Sequence, residues 1–172
     1  MKAAAQMVRP LCAGLIIGAG TVSADTVVFA KPDSADWTLP ENQDRITDSV
    51  WITRKDIQSL FNIAQEDGYY HLNDSPVGTL WADATTAAAD PASYTNFVAM
   101  NGGGPQSLIG DTVSLYLPQG ELYFDVTFLS FSGGNTGGGF SYSRTSTSLG
   151  VDKITIPKEF FVSKNYPNPF NP

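Results

Sequence analysis

Four carboxylates crowd one short stretch of this 172-residue chain: Asp33, Asp36, Glu41 and Asp44. Hard oxygen donors at that density suit Ca²⁺, which takes six to eight oxygens and accepts irregular loops. Calcium is therefore the one cofactor these residues suggest. The spacing lacks the Asp-x-Asp-x-Asp-Gly order of an EF-hand. The same carboxylates would serve equally as turn caps and as a partner for Arg45. A second group is aromatic. Trp37, Trp81 and Tyr142 head a set that includes Trp51, Tyr69 and Tyr70. Flat rings with an apolar body and a polar tip can stack on sugars. The competing role is core packing, because large aromatics mostly bury.

Catalytic constellations are scarce. Glycoside hydrolysis needs two carboxylates at a fixed separation across a cleft. Asp125 and Glu66 are conceivable partners, but no spacing selects them. Asp125 paired with Arg54 or Arg144 reads more simply as a structural contact. His71 is the sole histidine and has no Ser–His–Asp order around it. Cys12 is the sole cysteine, so metal sites built from His and Cys are excluded by count. The glycine-rich stretch Gly133–Gly139 is followed by no helix that would present its N-terminus to a phosphate. It reads as a flexible hairpin loop. No basic patch interrupts a net charge of −7, which excludes nucleic acid as a partner.

The elements that must position these residues read as strands. Residues 26–31 (TVVFAK) are β-branched and aromatic. A polar loop follows, then a strand over 46–54 (ITDSVWITR) with Val50 and Ile52 on one face and Trp51 and Thr53 on the other. A strand is expected at 59–63, a short one at 80–82 carrying Trp81, and another at 94–100. Residues 83–93 read as an exposed excursion. The clearest pattern is the hairpin of 113–117 and 121–131, in which Leu122, Phe124, Val126 and Phe128 alternate with Tyr123, Asp125 and Thr127. Phe140 and Tyr142 share one face of a returning strand. Short strands separated by turn signals predict an all-β fold, a single β-sandwich or jelly-roll-like domain over residues 25–146.

Both ends of the chain read as transport signals. Lys2 and Arg9 precede an uncharged apolar run, Leu11–Ala19, and Val22-Ser23-Ala24 is a small-x-small cleavage site. Residues 1–24 are thus a signal peptide. The run is shorter than the ~20 residues that span a bilayer, so the mature chain has no transmembrane segment. The leader holds two basic residues and no acidic one, so its removal takes the charge from −7 to −9. It also removes Cys12, and the exported domain must rely on its core rather than on disulfides. After a linker over 147–160, residues 161–172 read FVSKNYPNPFNP. Proline fixes φ, supplies no N–H and pushes its predecessor toward extended backbone, so this segment is neither helix nor central strand.

Asn165, Tyr166, Pro167, Asn168, Pro169, Phe170, Asn171 and Pro172 closely resemble the opening of the type A C-terminal sorting domain carried by cargo of the type IX secretion system. The resemblance covers only this end, and the sequence stops where that small sandwich domain would begin. It implies the type IX machinery as a partner and a destination outside a Gram-negative cell, secreted or on the outer-membrane surface. A second resemblance spans residues 26–146. ADWTLPENQDRIT, VWITR, LFNIAQE, SPVGT-x-WA and GGGFSYSR, in that order, are similar to an uncharacterised exported domain that precedes such tails. It implies one β-rich unit and adds no chemistry. The favoured reading is a non-catalytic surface module that binds a polysaccharide or another envelope component. An extracellular polysaccharide hydrolase and a structural spacer are the alternatives.

Overall fold

The computed structural model describes residues 25–70 and 74–146. The expected signal peptide, His71, and the expected linker and sorting motif lie outside the described residues. Among the described residues, eight strands form two antiparallel sheets that pack face to face, the all-β sandwich expected from the alternating pattern. They are β1 (Thr26–Lys31), β2 (Asp44–Thr47), β3 (Val50–Arg54), β4 (Leu60–Asn62), β5 (Leu80–Ala82), β6 (Thr112–Leu117), β7 (Leu122–Phe131) and β8 (Phe140–Thr145). The larger sheet has the order β1-β8-β7-β6-β5, and the smaller one β2-β3-β4. Strands β5 to β8 run as an uninterrupted meander, and β1 adds to its far side beside β8.

Alternation decides which side chains meet between the sheets. Val113, Leu115, Phe124, Val126, Phe128, Phe140 and Tyr142 point inward from the large sheet, and Val50, Ile52 and Leu60 meet them from the small one. At about 25 cal/mol per Å² of apolar surface, such burial is the main force holding the layers together.

Three local expectations need correction. Residues 46–54 are not one strand, because the chain turns at Asp48-Ser49 and folds β2 onto β3 as a hairpin. Both turn residues favour local side-chain bonds over extended backbone, but the flanking alternation runs straight through them. Residues 94–100 are not a strand either. Thr95 makes one bridge to Trp81, and then the Asn96 side chain accepts from the Ala99 amide at 2.8 Å and caps α1, a single helical turn over Phe97–Met100. The glycine-rich loop, expected to be flexible, is tied at its far end. The Ser34 amide donates to the Gly137 carbonyl at 2.7 Å, and the Gly139 amide donates to Asp33 Oδ1 at 2.7 Å. Gly138 has φ +69°, and a Cβ there would sit 1.9 Å from the Lys55 carbonyl oxygen, so only glycine fits this approach.

Candidate functional site

The four clustered carboxylates do not converge. Asp33 is fixed by the Ser132 side chain and the Gly139 amide, which hold its carboxyl below the usual range. Asp36 Oδ1 accepts from the Thr38 hydroxyl at 2.7 Å and the Thr38 amide at 2.9 Å, and these bonds likewise hold its pKa down. Glu41 is exposed on the 3-10 turn Pro40–Asn42. Asp44 is buried and turns the other way, into the core. Its Oδ2 accepts from Arg144 Nε at 2.7 Å and from the Tyr142 hydroxyl at 2.6 Å, and its Oδ1 accepts from Arg144 Nη2 at 2.8 Å. Among the described residues, no group of three or more His, Cys, Asp or Glu side chains could hold a metal ion.

This bidentate pair links β2 to β8, and so joins the two sheets through a buried ion pair. Burial and the neighbouring Asp44 charge push the Tyr142 phenol well above its ordinary pKa. Burial alone would lower the Arg144 pKa, but the hydrogen bonds it donates to Asp44 and the charge of that carboxylate together outweigh burial and raise it. The arrangement fixes sheet registry; it does not meet solvent.

The aromatics predicted to bind sugar divide in the same way. Trp81 is 0% exposed and Tyr142 1% exposed, so neither offers a face to a ligand. Trp81 lies edge-on to Phe97 at 5.0 Å between ring centroids, and its indole N–H donates to Thr79 Oγ1 at 2.8 Å. Both point inward because each stands at an inward register position of its strand. Trp37 is half-buried, with its edge against Phe61 at 5.7 Å and the Lys55 ammonium 4.5 Å above its ring. The candidate acids also stand apart. Glu66 Oε2 accepts from the Asn62 and Val77 amides at 2.7 and 2.9 Å, and its Oε1 accepts from Ser75 Oγ. Asp125 lies on the outer side of the large sheet and accepts from the Thr86 amide at 2.6 Å. Neither pairs with Arg54 or Arg144.

What the structure does assemble is an outer aromatic face on the large sheet. Tyr116 and Tyr123 are register partners on β6 and β7, stacked at 4.4 Å with 16° between their planes. Tyr94 stands edge-on to both, at 5.7 and 5.9 Å. With Leu80, Thr86 and Pro91 they line a groove of about 170 Å³. The Tyr94 hydroxyl and Thr86 Oγ1 each lie 2.7 Å from Ser114 Oγ, which fixes the excursion over the sheet. Partial burial, then the neighbouring Tyr116, pushes the Tyr123 phenol up, so it stays neutral through the physiological range.

Beyond the groove the same face continues as a field of hydroxyls. Thr112 and Thr127 Oγ1 atoms pair at 2.7 Å, and Ser130 and Ser141 Oγ atoms at 2.6 Å. Lys31, Asp125 and Arg144 are the only charged residues in the five strands, and Lys31 and Arg144 are buried at 2% and 7% exposure. Asp125 is thus the one charge that these strands place on the outer face, while Glu121, on the turn before β7, acts on Tyr123 through space. Sequence reasoning passed over Tyr116 and Tyr123 in favour of the tryptophans. The available signal was a tyrosine at an outward position of each strand, where alternation calls for a small or charged polar residue. Comparison with family models, curated proteins and solved structures found no match to this chain.

Proposed function

We propose that this protein is an exported, non-catalytic β-sandwich module that binds carbohydrate through the outer face of its five-stranded sheet. The observation that carries this reading is the composition of that face: stacked tyrosines beside paired hydroxyls, with Asp125 as the only charge its strands contribute. Exposed sheet faces and edges are normally kept soluble and unpaired by charged side chains. A face without them suits a neutral, hydroxyl-rich partner, with rings to stack on sugar planes and hydroxyls that both donate and accept. The leader over residues 1–24 and the motif Asn165–Pro172 support delivery to the cell surface or medium of a Gram-negative bacterium by type IX secretion. Hydrolysis has less support, because Asp125 and Glu66 are each engaged by separate backbone amides.

The test is retention of the purified mature chain on a panel of insoluble and soluble neutral polysaccharides. Retention on one polymer, lost in the double variant Tyr116→Ala/Tyr123→Ala but kept in Trp37→Ala, is the expected result. Retention lost in Trp37→Ala and kept in the double variant would overturn the assignment to this face. A folded chain retained on none of them would remove the carbohydrate reading.

A further inference from the structure

A second cavity, of about 320 Å³, opens at one end of the sandwich and shares no lining residue with the tyrosine groove. Arg54, Ser59, Tyr69, Val98, Gln106 and Phe131 are among the side chains that line it. Arg54 closes β3 and is 2% exposed. Its Nη1 donates to the Ser132 and Gly139 carbonyls at 2.9 and 3.1 Å, its Nε donates to the Gln58 carbonyl at 2.5 Å, and its guanidinium carbon lies 4.0 Å from the Phe131 ring centroid. These bonds use Nε and Nη1 and leave Nη2 without a partner among the described residues.

The contrast with Arg144 is informative. Both guanidiniums are buried, but Arg144 has Asp44 and Arg54 has no carboxylate within 4 Å among the described residues. Asp33 acts on it only through space, and burial outweighs that influence and lowers its pKa. Lys31, buried at 2% exposure nearby, adds a second cation, with Asp56 and Asp33 as its more distant counter-charges. A buried cation without a partner anion is costly. Ser59 lines the same wall, but its Oγ is sealed from solvent and makes no hydrogen bond among the described residues. One buried cation borders a cavity whose other walls mix apolar Val98, Pro105 and Phe131 with polar Gln58, Tyr69 and Gln106.

We infer that this cavity is a binding site for a small carboxylate, which takes a hydrogen bond from the open Nη2 of Arg54 and whose body packs on Phe131 and Val98. A guanidinium N–H gives a carboxylate a charge-assisted hydrogen bond, stronger than one between neutral groups. The volume is at the small end for ligand sites and suits a single ring. The carboxylate could belong to a free organic acid or to an acidic sugar, and the probes separate these sources.

The experiment titrates the isotope-labelled mature chain with benzoate, glucuronate, glucose and inorganic phosphate, and follows amide resonances. Saturable shifts at Ser59, Tyr69 and Val98 with benzoate or glucuronate, and none with glucose, are expected. Benzoate alone would identify an organic acid, and glucuronate alone an acidic sugar. Val98→Trp should fill the cavity and abolish the shifts with the fold intact. No saturable shift with either carboxylate, a response to phosphate as strong as to carboxylate, or shifts that survive Val98→Trp would overturn the proposal.

Discussion

The five-stranded sheet has two aromatic faces built from the same side-chain types, and they do different work. On the inner face, Trp81, Phe128, Phe140 and Tyr142 interlock at centroid distances between 5.7 and 6.4 Å. Every polar tip there is satisfied by the protein itself: the Trp81 N–H by Thr79 and the Tyr142 hydroxyl by Asp44. On the outer face, Tyr116 and Tyr123 stack and Tyr94 stands edge-on to them, but all three remain partly exposed beside a groove and a field of hydroxyls. One residue of register separates the two roles, since neighbouring positions on a strand point to opposite faces. An aromatic residue in a strand therefore says little about binding until its parity with the core is known.

The sharpest way to break this comparison is to cut the inner face at its ion pair. Asp44→Ala leaves the Arg144 charge and the Tyr142 hydroxyl buried without their acceptor. It should cost about 3–5 kcal/mol in denaturant unfolding. Polymer retention under folded conditions should not change. On the outer face the pattern reverses. Tyr116→Ala/Tyr123→Ala should weaken polysaccharide binding about tenfold or more, while unfolding shifts far less than for Asp44→Ala. A smaller effect distinguishes the faces by pH. The Tyr142 phenol is held above its ordinary pKa, whereas in the unfolded chain it ionises near pH ~10. The unfolded state then loses its proton first, so stability contributed by Tyr142 is present below pH ~10 and declines as pH rises beyond it. Tyr142→Phe should flatten that decline in a pH series of urea melts. Least of all should EDTA matter. With the carboxylates of residues 33–44 pointing to separate partners, chelation should leave the melting temperature unchanged, and a drop would restore the calcium reading.

How much of this was legible beforehand depends on which physical term decides each element. The inward alternation of Leu122, Phe124, Val126 and Phe128 is a local pattern that burial enforces, so β7 and the sandwich class were readable. The break at Asp48-Ser49 was not, because a two-residue turn costs little and leaves the alternation on either side intact. Residues 94–100 carry the β-branched and aromatic content of a strand, but one side-chain cap from Asn96 tips them into a helical turn. Asp44 looked like one member of an acidic loop. Its role is set by Arg144, a hundred residues away in sequence, and only the pairing of sheets brings the two together. The tyrosine face has the same origin: Tyr94, Tyr116 and Tyr123 come from three separate elements, and no spacing within one of them announces the stack. Trp81 was drawn toward the binding set by its residue type alone, and the bridge of its strand to Thr95 buries it.

The most direct test of the central claim is a resonance map of the mature chain with a soluble oligosaccharide of whichever polymer retains it. The account predicts perturbations at Tyr94, Tyr116 and Tyr123 and along the hydroxyls of Thr112 and Thr127, with Trp81 and Tyr142 unmoved. Perturbations confined to Trp37 and the small sheet, with the tyrosine face silent, would contradict it.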